Sequence, residues 1–364
     1  MKVVVVGATG NVGTSAVAAL SSDPAVDEIV GVARRLPETE LSKVRWVAAD
    51  IRSSDLAEIF HAADAVVHLA WLIQPSRDQA TVRSVNVDGS RRVFQAVAEA
   101  GVPALVYASS VGAYSPGPKD RRVDESWPTE GIESSFYARH KAEVERMLDT
   151  FEHDKPGVRS VRLRPALIFK RGAASEIRRL FAGPLVPSPL VREDLIPLVP
   201  DVPRLRFQAV HSLDVGEAYR LATVGDVRGA FNIAAEPVLD PQELGRLLSA
   251  RPVHVPAGLL RGAAALSWRL HLQPTSPGWV DMALQVPLMD ITRAREELGW
   301  VPRHSSGDAL LELLGGIRES AGEATPPLAP SAGGPGRIKE LLTGVGKKAC
   351  ADTAGGAAGR DAQR

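Results

Sequence analysis

Val3-Val4-Val5-Val6-Gly7-Ala8-Thr9-Gly10-Asn11-Val12-Gly13 stands almost at the head of the chain, and its reading decides the fold. Four successive valines make a strand that is apolar on both faces, the mark of a buried parallel sheet rather than a half-exposed one. A helical stretch, Asn11–Leu20, follows at once. The glycines between them each have a task. Gly7 lets the chain turn sharply out of the strand. Gly10 has no side chain, so a pyrophosphate can approach the backbone there, and Gly13 lets the helix pack close to the sheet. The N–H groups and positive dipole end of the helix, with Thr9, Asn11 and Val12 around them, then face that phosphate. A strand before the glycines and a helix after them is the context such a turn requires.

The same alternation continues through the first half. Strands are expected at Ile29–Ala33, Val44–Ala48, Ala65–Leu69, Ala104–Ala108 and Ser160–Leu163, and helices at Ser54–Ile59, Val87–Ala100 and Ser135–Thr150. Apolar strands alternating with helices predict an α/β fold with a doubly wound parallel sheet, a Rossmann-type domain over residues 1–165. After Pro165 the texture is less regular, and prolines crowd Pro184 to Pro203. Short strands (Phe207–His211, Ala230–Ile233) and helices (Val215–Thr223, Pro241–Leu248) predict a smaller substrate-binding part over residues 166–318, interleaved with the first domain. Residues 319–364 are rich in Ala, Gly and Pro and offer little for a core, so a disordered tail is expected, with a helical turn or two at Arg337–Thr343.

The second strand ends Val32-Ala33-Arg34-Arg35, without the acid that usually holds the ribose 2′-OH of NAD. Arg34 and Arg35 can instead grip a 2′-phosphate through planar, bidentate guanidinium groups, which favours NADP over NAD, while two solvated arginines remain the plain alternative. Tyr137-Ala138-Arg139-His140-Lys141 sets Tyr137 and Lys141 four apart, hence on one helix face. A free tyrosine ionises near pH ~10, and acid/base work at neutral pH needs phenolate favoured by about 4 kcal/mol more. A lysine ammonium and an oxidised nicotinamide ring both push in that direction. Ser109 and Ser110 close the strand Ala104–Ala108, at the sheet end where ligands bind; Ser110 is the candidate to hold the reacting oxygen, Ser109 to serve the turn.

Bulk properties exclude other classes. Lys+Arg and Asp+Glu both number 43 among 364 residues, so no broad field draws the chain to nucleic acid or an acidic membrane. Cys350 is the single cysteine, so no internal disulfide and no zinc spacing is present, and no metal is expected. The valine run is too short for a signal peptide, and Leu259–Leu272 is broken by Arg261 and Arg269, short of the roughly 20 apolar residues of a span. That stretch reads as a buried or half-buried helix rather than one lying on a membrane. A cytoplasmic protein acting on a small molecule is expected.

These stations, taken in order, resemble the extended short-chain dehydrogenases/reductases, in the NAD(P)-dependent epimerase/dehydratase group, from Met1 to about Ile317. Beside the glycine turn, Asp50-Ile51 resembles the pair next to the adenine, and His68-Leu69-Ala70 the strand end that passes the cofactor. Asn86-Val87-Asp88-Gly89, Ser109-Ser110 with Tyr114, Tyr137 with Lys141, Arg164-Pro165 near the nicotinamide, His211-Ser212-Leu213-Asp214-Val215 and Leu298-Gly299-Trp300 complete the series. The resemblance implies Tyr137 as general acid/base, Lys141 on the nicotinamide ribose, Ser110 on the substrate oxygen, Asn86 as a structural residue, and a homodimer as the assembly. Two departures stand out. Ala166-Leu167-Ile168-Phe169 replaces the Asn and Tyr-Gly-Pro common in sugar-nucleotide members, and Val111-Gly112 replaces the Asp-Glu pair of dehydratases. Lys170, Arg171, Arg178 and Arg179 either face an anionic substrate or form a solvated face. The expectation is an NAD(P)-dependent oxidoreductase working at a carbonyl/alcohol carbon; an epimerase retaining its cofactor and a non-catalytic dinucleotide sensor are the alternatives.

Overall fold

The valine run becomes the central strand of the molecule. Val3 to Val6 are buried between two parallel neighbours, one on each side. The structure, a computed structural model, describes residues 1–74, 77–181, 197–273 and 275–329. Its strands, in chain order, are β1 (Lys2–Val6), β2 (Glu28–Ala33), β3 (Val44–Ala48), β4 (Ala65–His68), β5 (Ala104–Ala108), β6 (Arg122–Val123), β7 (Arg159–Pro165), β8 (Leu167–Phe169), β9 (Leu198–Asp201), β10 (Ala209–His211), β11 (Gly229–Ile233), β12 (Arg251–His254) and β13 (Leu288–Met289). The helices are α1 (Asn11–Ser21), α2 (Leu56–Phe60), α3 (Gln79–Arg83), α4 (Ser90–Glu99), α5 (Phe136–Asp154), α6 (Ala174–Phe181), α7 (Ser212–Val224), α8 (Pro241–Leu247), α9 (Ala257–Arg269), α10 (Gly278–Gln285), α11 (Thr292–Glu296) and α12 (Ser306–Arg318).

Seven strands form one parallel sheet in the order β11-β7-β5-β4-β1-β2-β3. The chain winds outward from β1 in both directions, so a crevice opens at the C-terminal ends of β1 and β4, where ligands bind in such sheets. One core joins the sheet to α1 and α7, through Ala16, Val17 and Leu20 against Val215, Ala218 and Tyr219. The opposite core joins it to α2, α4 and α5, through Phe60, Phe94 and Leu148. The fold is therefore the doubly wound α/β architecture that the alternation implied. Small two-stranded pairs, β8 with β10, β9 with β12 and β6 with β13, build the upper part.

Four features depart from the sequence reading. The strand expected in the smaller part, near Ala230–Ile233, is the edge of the main sheet, and α7 covers that sheet. The later chain thus returns to complete the first domain. The helix expected at Val87–Ala100 begins earlier, as α3, and reaches α4 through a π-helical turn at Ser84–Gly89. The widened turn coincides with Asn86, whose side chain is bonded outward, and with Gly89, where a Cβ would meet Ile51 Cδ1 at 2.6 Å. The Leu259–Leu272 stretch is helical, but no residue of α9 is buried, and Leu259 is 65% exposed, because α9 rests mainly on α10. Finally, part of the segment expected as a tail is built in: Leu328 is fully buried. Residues 330–364, with Arg337–Thr343 and Cys350, lie outside the described residues, as do most of those between Pro184 and Pro203.

Candidate active site

A cleft of about 460 Å³ opens along the C-terminal ends of β1, β2, β4 and β5. Every residue singled out above for dinucleotide contact or chemistry, from Gly7 to Pro165, lies on its wall. Gly7 adopts φ +90°, which an L side chain rarely takes, and a Cβ there would sit 2.7 Å from the Ala70 nitrogen. At Gly13 a Cβ would meet the Gly7 carbonyl at 2.2 Å, so α1 packs against the turn itself. Gly10 differs: its Cβ would meet only the Gly7 oxygen, at 3.6 Å, and the space in front of it is open. The first turn of α1 has no side-chain cap and no acid, and Asn11 Oδ1 is buried without a partner. Free N–H groups over an open glycine are an anion cradle, which fits a dinucleotide pyrophosphate. At the far end Arg34 and Arg35 are exposed, and Asp50 pairs with Arg52 at 2.7 Å.

At the other end α5 begins on a Ser135 cap, so Tyr137 and Lys141 fall on successive turns facing β5. Burial pushes the Tyr137 pKa up, and the nearby Ser110 hydroxyl opposes that. Ser110 Oγ accepts from Gly112 N at 3.0 Å, which fixes its direction. Lys141 is buried, donates to the Ala108 carbonyl at 2.6 Å and lies 3.5 Å over the Trp71 ring. Burial holds its pKa well below the lysine range, with Glu145 opposing. Asn86 is a clamp: its amide accepts from Leu72 N and donates to Leu72 O, both at 2.7 Å, and so fixes the segment after β4.

Beneath these groups lies a buried charge network. Glu145 is fully buried and bonded to Arg162 Nη1 at 2.8 Å, Arg164 Nε at 2.9 Å and the Ser109 hydroxyl. Arg164 continues to Tyr114 Oη at 3.0 Å, which donates to Asn232 at 2.7 Å. Ser109, Tyr114 and Arg164 are thus tied into this network; of their motifs Ser109, Ser110 and Pro165 line the cleft. His211 caps α7 and stacks on His304 at 4.1 Å, while Asp214 binds His304 and, through its carbonyl, Trp300, so those two late motifs lock the upper part. Lys170 is buried against Thr14 and Glu323, and Arg171 pairs with Glu319. Neither is on the cleft wall.

Among the wall residues missed by sequence reasoning are Trp71, Leu72 and Ile73, Trp279 and Met282, and Pro326 with Pro327. The i, i+3 spacing of Trp279 and Met282 was the one local signal for a shared face. Thr325 Oγ1 donates to the Thr9 carbonyl at 2.9 Å, so a short strap from the C-terminal segment crosses the glycine turn. Leu328→Asp, which would expel this strap by burying a charge, is expected to raise the dinucleotide dissociation rate about tenfold, by stopped-flow fluorescence, for loss of one bond and its packing. An unchanged rate would make the strap irrelevant to binding. Among the described residues, no helix is long and apolar enough to cross a membrane, and no cluster of three or more His, Cys, Asp or Glu could hold a metal ion.

Fold and cleft together define a doubly wound α/β protein with a glycine turn and Ser110, Tyr137 and Lys141 on one cleft at its switch point. The model of the NAD dependent epimerase/dehydratase family matches residues 3–182, and that part of the chain belongs to the family. Over 325 residues it is 27% identical to an uncharacterized protein of Mycobacterium tuberculosis, covering 88% of this chain and 31% of the relative, so it spans about a third of that relative's length. It shares 36% identity over 110 residues, 30% of this chain and 41% of the relative, with the L-arabinose 1-dehydrogenase (NAD(P)(+)) of Haloferax volcanii. The structure of UDP-glucose-4-epimerase from Stenotrophomonas maltophila, with bound NAD and formylated UDP-arabinopyranose, superimposes with a TM-score of 0.66 and 22% identity. It covers 88% of this chain and 98% of that one, a likeness of fold.

Proposed function

We propose that this chain is an NAD(P)-dependent oxidoreductase that acts at a carbonyl/alcohol carbon of a small molecule, with Tyr137 as its acid/base. One observation carries the reading. The Tyr137 and Ser110 side chains share, with Lys141, the wall of the cleft that the Gly7–Gly13 turn lines. When bound, the dinucleotide supplies or accepts the hydride. Gly10 and the α1 N-terminus hold its pyrophosphate; Asp50, Ile51, Leu69 and Ala70 flank its adenosine half, and Pro165 its nicotinamide half. Tyr137 Oη gives its proton to the carbonyl oxygen as negative charge develops there, and takes it back in the reverse direction. Ser110 orients that oxygen, and Lys141 holds the nicotinamide ribose and favours phenolate at Tyr137.

Arg34 and Arg35, exposed at the end of a strand that closes without an acid, support NADP over NAD. Replacing both by alanine is expected to raise the NADPH dissociation constant by about tenfold or more and to change that of NADH by less than about twofold, for loss of charge-assisted bonds to the 2′-phosphate. Fluorescence titration checks this; an equal effect on both dinucleotides would make the pair solvated surface residues. The strap at Thr325 favours a second reading, an epimerase that keeps its dinucleotide through the cycle. Following nicotinamide absorbance during turnover separates the two. Stoichiometric consumption of added NADPH by a carbonyl compound supports the oxidoreductase. Product formation without net change in the dinucleotide supports the epimerase and sinks the first reading.

A further inference from the structure

Around Tyr137 the cleft wall changes character. Trp71, Leu72 and Ile73 follow β4, Val111 follows Ser110, and α10 contributes Trp279 and Met282. The Trp279 ring lies 5.1 Å from that of Tyr137, tilted by 36°, and Trp71 meets Tyr137 edge-on at 5.9 Å. This apolar wall is held in place from behind. Asn86 pins both backbone groups of Leu72, and Asp281 on α10 is bound by Arg261 at 2.7 Å. Gly278 packs so tightly at the start of α10 that a Cβ would meet the Ser134 carbonyl at 2.2 Å. Such a wall is pre-formed, so a ligand need not spend binding energy ordering it.

The charges on the cleft are elsewhere or already committed. Among the described residues that line it, the charged ones are Arg34, Arg35, Asp50, Lys141 and Glu176. Arg34, Arg35 and Asp50 follow β2 and β3, across β1 from the Tyr137 end, and Glu176 is itself an acid. Lys141 is engaged by the Ala108 carbonyl and the Trp71 ring. A substrate diphosphate beside Tyr137 would meet no uncommitted cation among the described residues that line this end of the cleft, and burying unpaired charge is costly. A hydrocarbon group there gains about 25 cal/mol for each Å² removed from water.

We propose that the substrate is an apolar alcohol or carbonyl compound, its hydrocarbon part lying against Trp71, Leu72, Ile73, Trp279 and Met282 and its oxygen at Ser110 and Tyr137. This rests on the reading of the cleft as an oxidoreductase site and narrows it. The test uses methyl ketones from 2-butanone to 2-octanone, with UDP-glucose as the anionic comparison. Binding is followed by tryptophan fluorescence on dinucleotide-loaded wild type and Tyr137→Phe, and turnover on wild type. The expected result is affinity rising by up to about fourfold for each added methylene, as full burial of a CH₂ gives, with UDP-glucose bound more weakly than the longest ketone. Ile73→Ser should flatten that rise. If binding rises with chain length but no ketone is turned over, the apolar class stands and the oxidoreductase reading falls. If affinity is flat along the series, or UDP-glucose binds more tightly, the apolar class is overturned, and turnover of any substrate then leaves the oxidoreductase reading standing.

Discussion

Tyr137→Phe is expected to lower turnover by about a thousandfold, within the range lost with a positioned acid/base, and to leave dinucleotide affinity within about twofold. The substitution removes one oxygen and no packing. The ring stays against Trp279, Trp71 and Gly112, where a Cβ would come within 2.8 Å of it, so the site has no reason to collapse. What disappears is the phenolic proton, held by burial on the oxygen and directed by Ser110. Ser110→Ala should act less severely, since the proton donor remains but loses its direction. Steady-state kinetics with the accepted substrate, beside a dinucleotide titration, measures both effects. Unchanged turnover in the phenylalanine variant would remove Tyr137 from the chemistry.

Glu145→Ala is expected to cost about 3–5 kcal/mol of stability, the usual penalty for leaving buried charge uncompensated. Arg162 and Arg164 are both about 5% exposed and both bind this one carboxylate, which also accepts from Ser109. Burial opposes the Glu145 charge, but bonds from Arg164, Arg162 and Ser109 overcome it and lower the pKa from 4.5 to about 2. The stabilisation is therefore complete above about pH 4.5 and is lost as pH falls through about 2. Urea unfolding should show the full difference between wild type and variant at neutral pH, and a shrinking one across that acid window. A deficit that is small at neutral pH would mean that the arginines find other partners. Because Glu145 sits one turn beyond Lys141, and Ser109 next to Ser110, the variant should lose activity as well as stability.

Much of the fold was legible because it is locally encoded. The strand after the glycine turn of Gly101 was expected at Ala104–Ala108 and is found there, since a run apolar on both faces has one stable place in such a sheet. Helix boundaries were less legible where tertiary contacts outweigh periodicity. At Ser84–Gly89 the side chain of Asn86 reaches Leu72, and the ladder widens, which no count of apolar positions could indicate. Ser109 and Tyr114 stand beside Ser110 in the motif series, and Arg164 in the segment expected near the nicotinamide, yet their hydrogen bonds tie them into the Glu145 network, because motif order says which residues are near a site and not which way they face.

The sequence by itself determined the doubly wound sheet, the glycine turn and the meeting of Ser110, Tyr137 and Lys141 on one cleft. Each depends on residues close together in the chain, through strand and helix periods and the steric freedom of glycine. Tertiary structure alone decided what surrounds them. Trp279 and Met282 come to Tyr137 on a helix more than a hundred positions away, and Thr325 reaches Thr9 across 316 positions. Such contacts are selected by the packing of whole elements, and no local pattern records them.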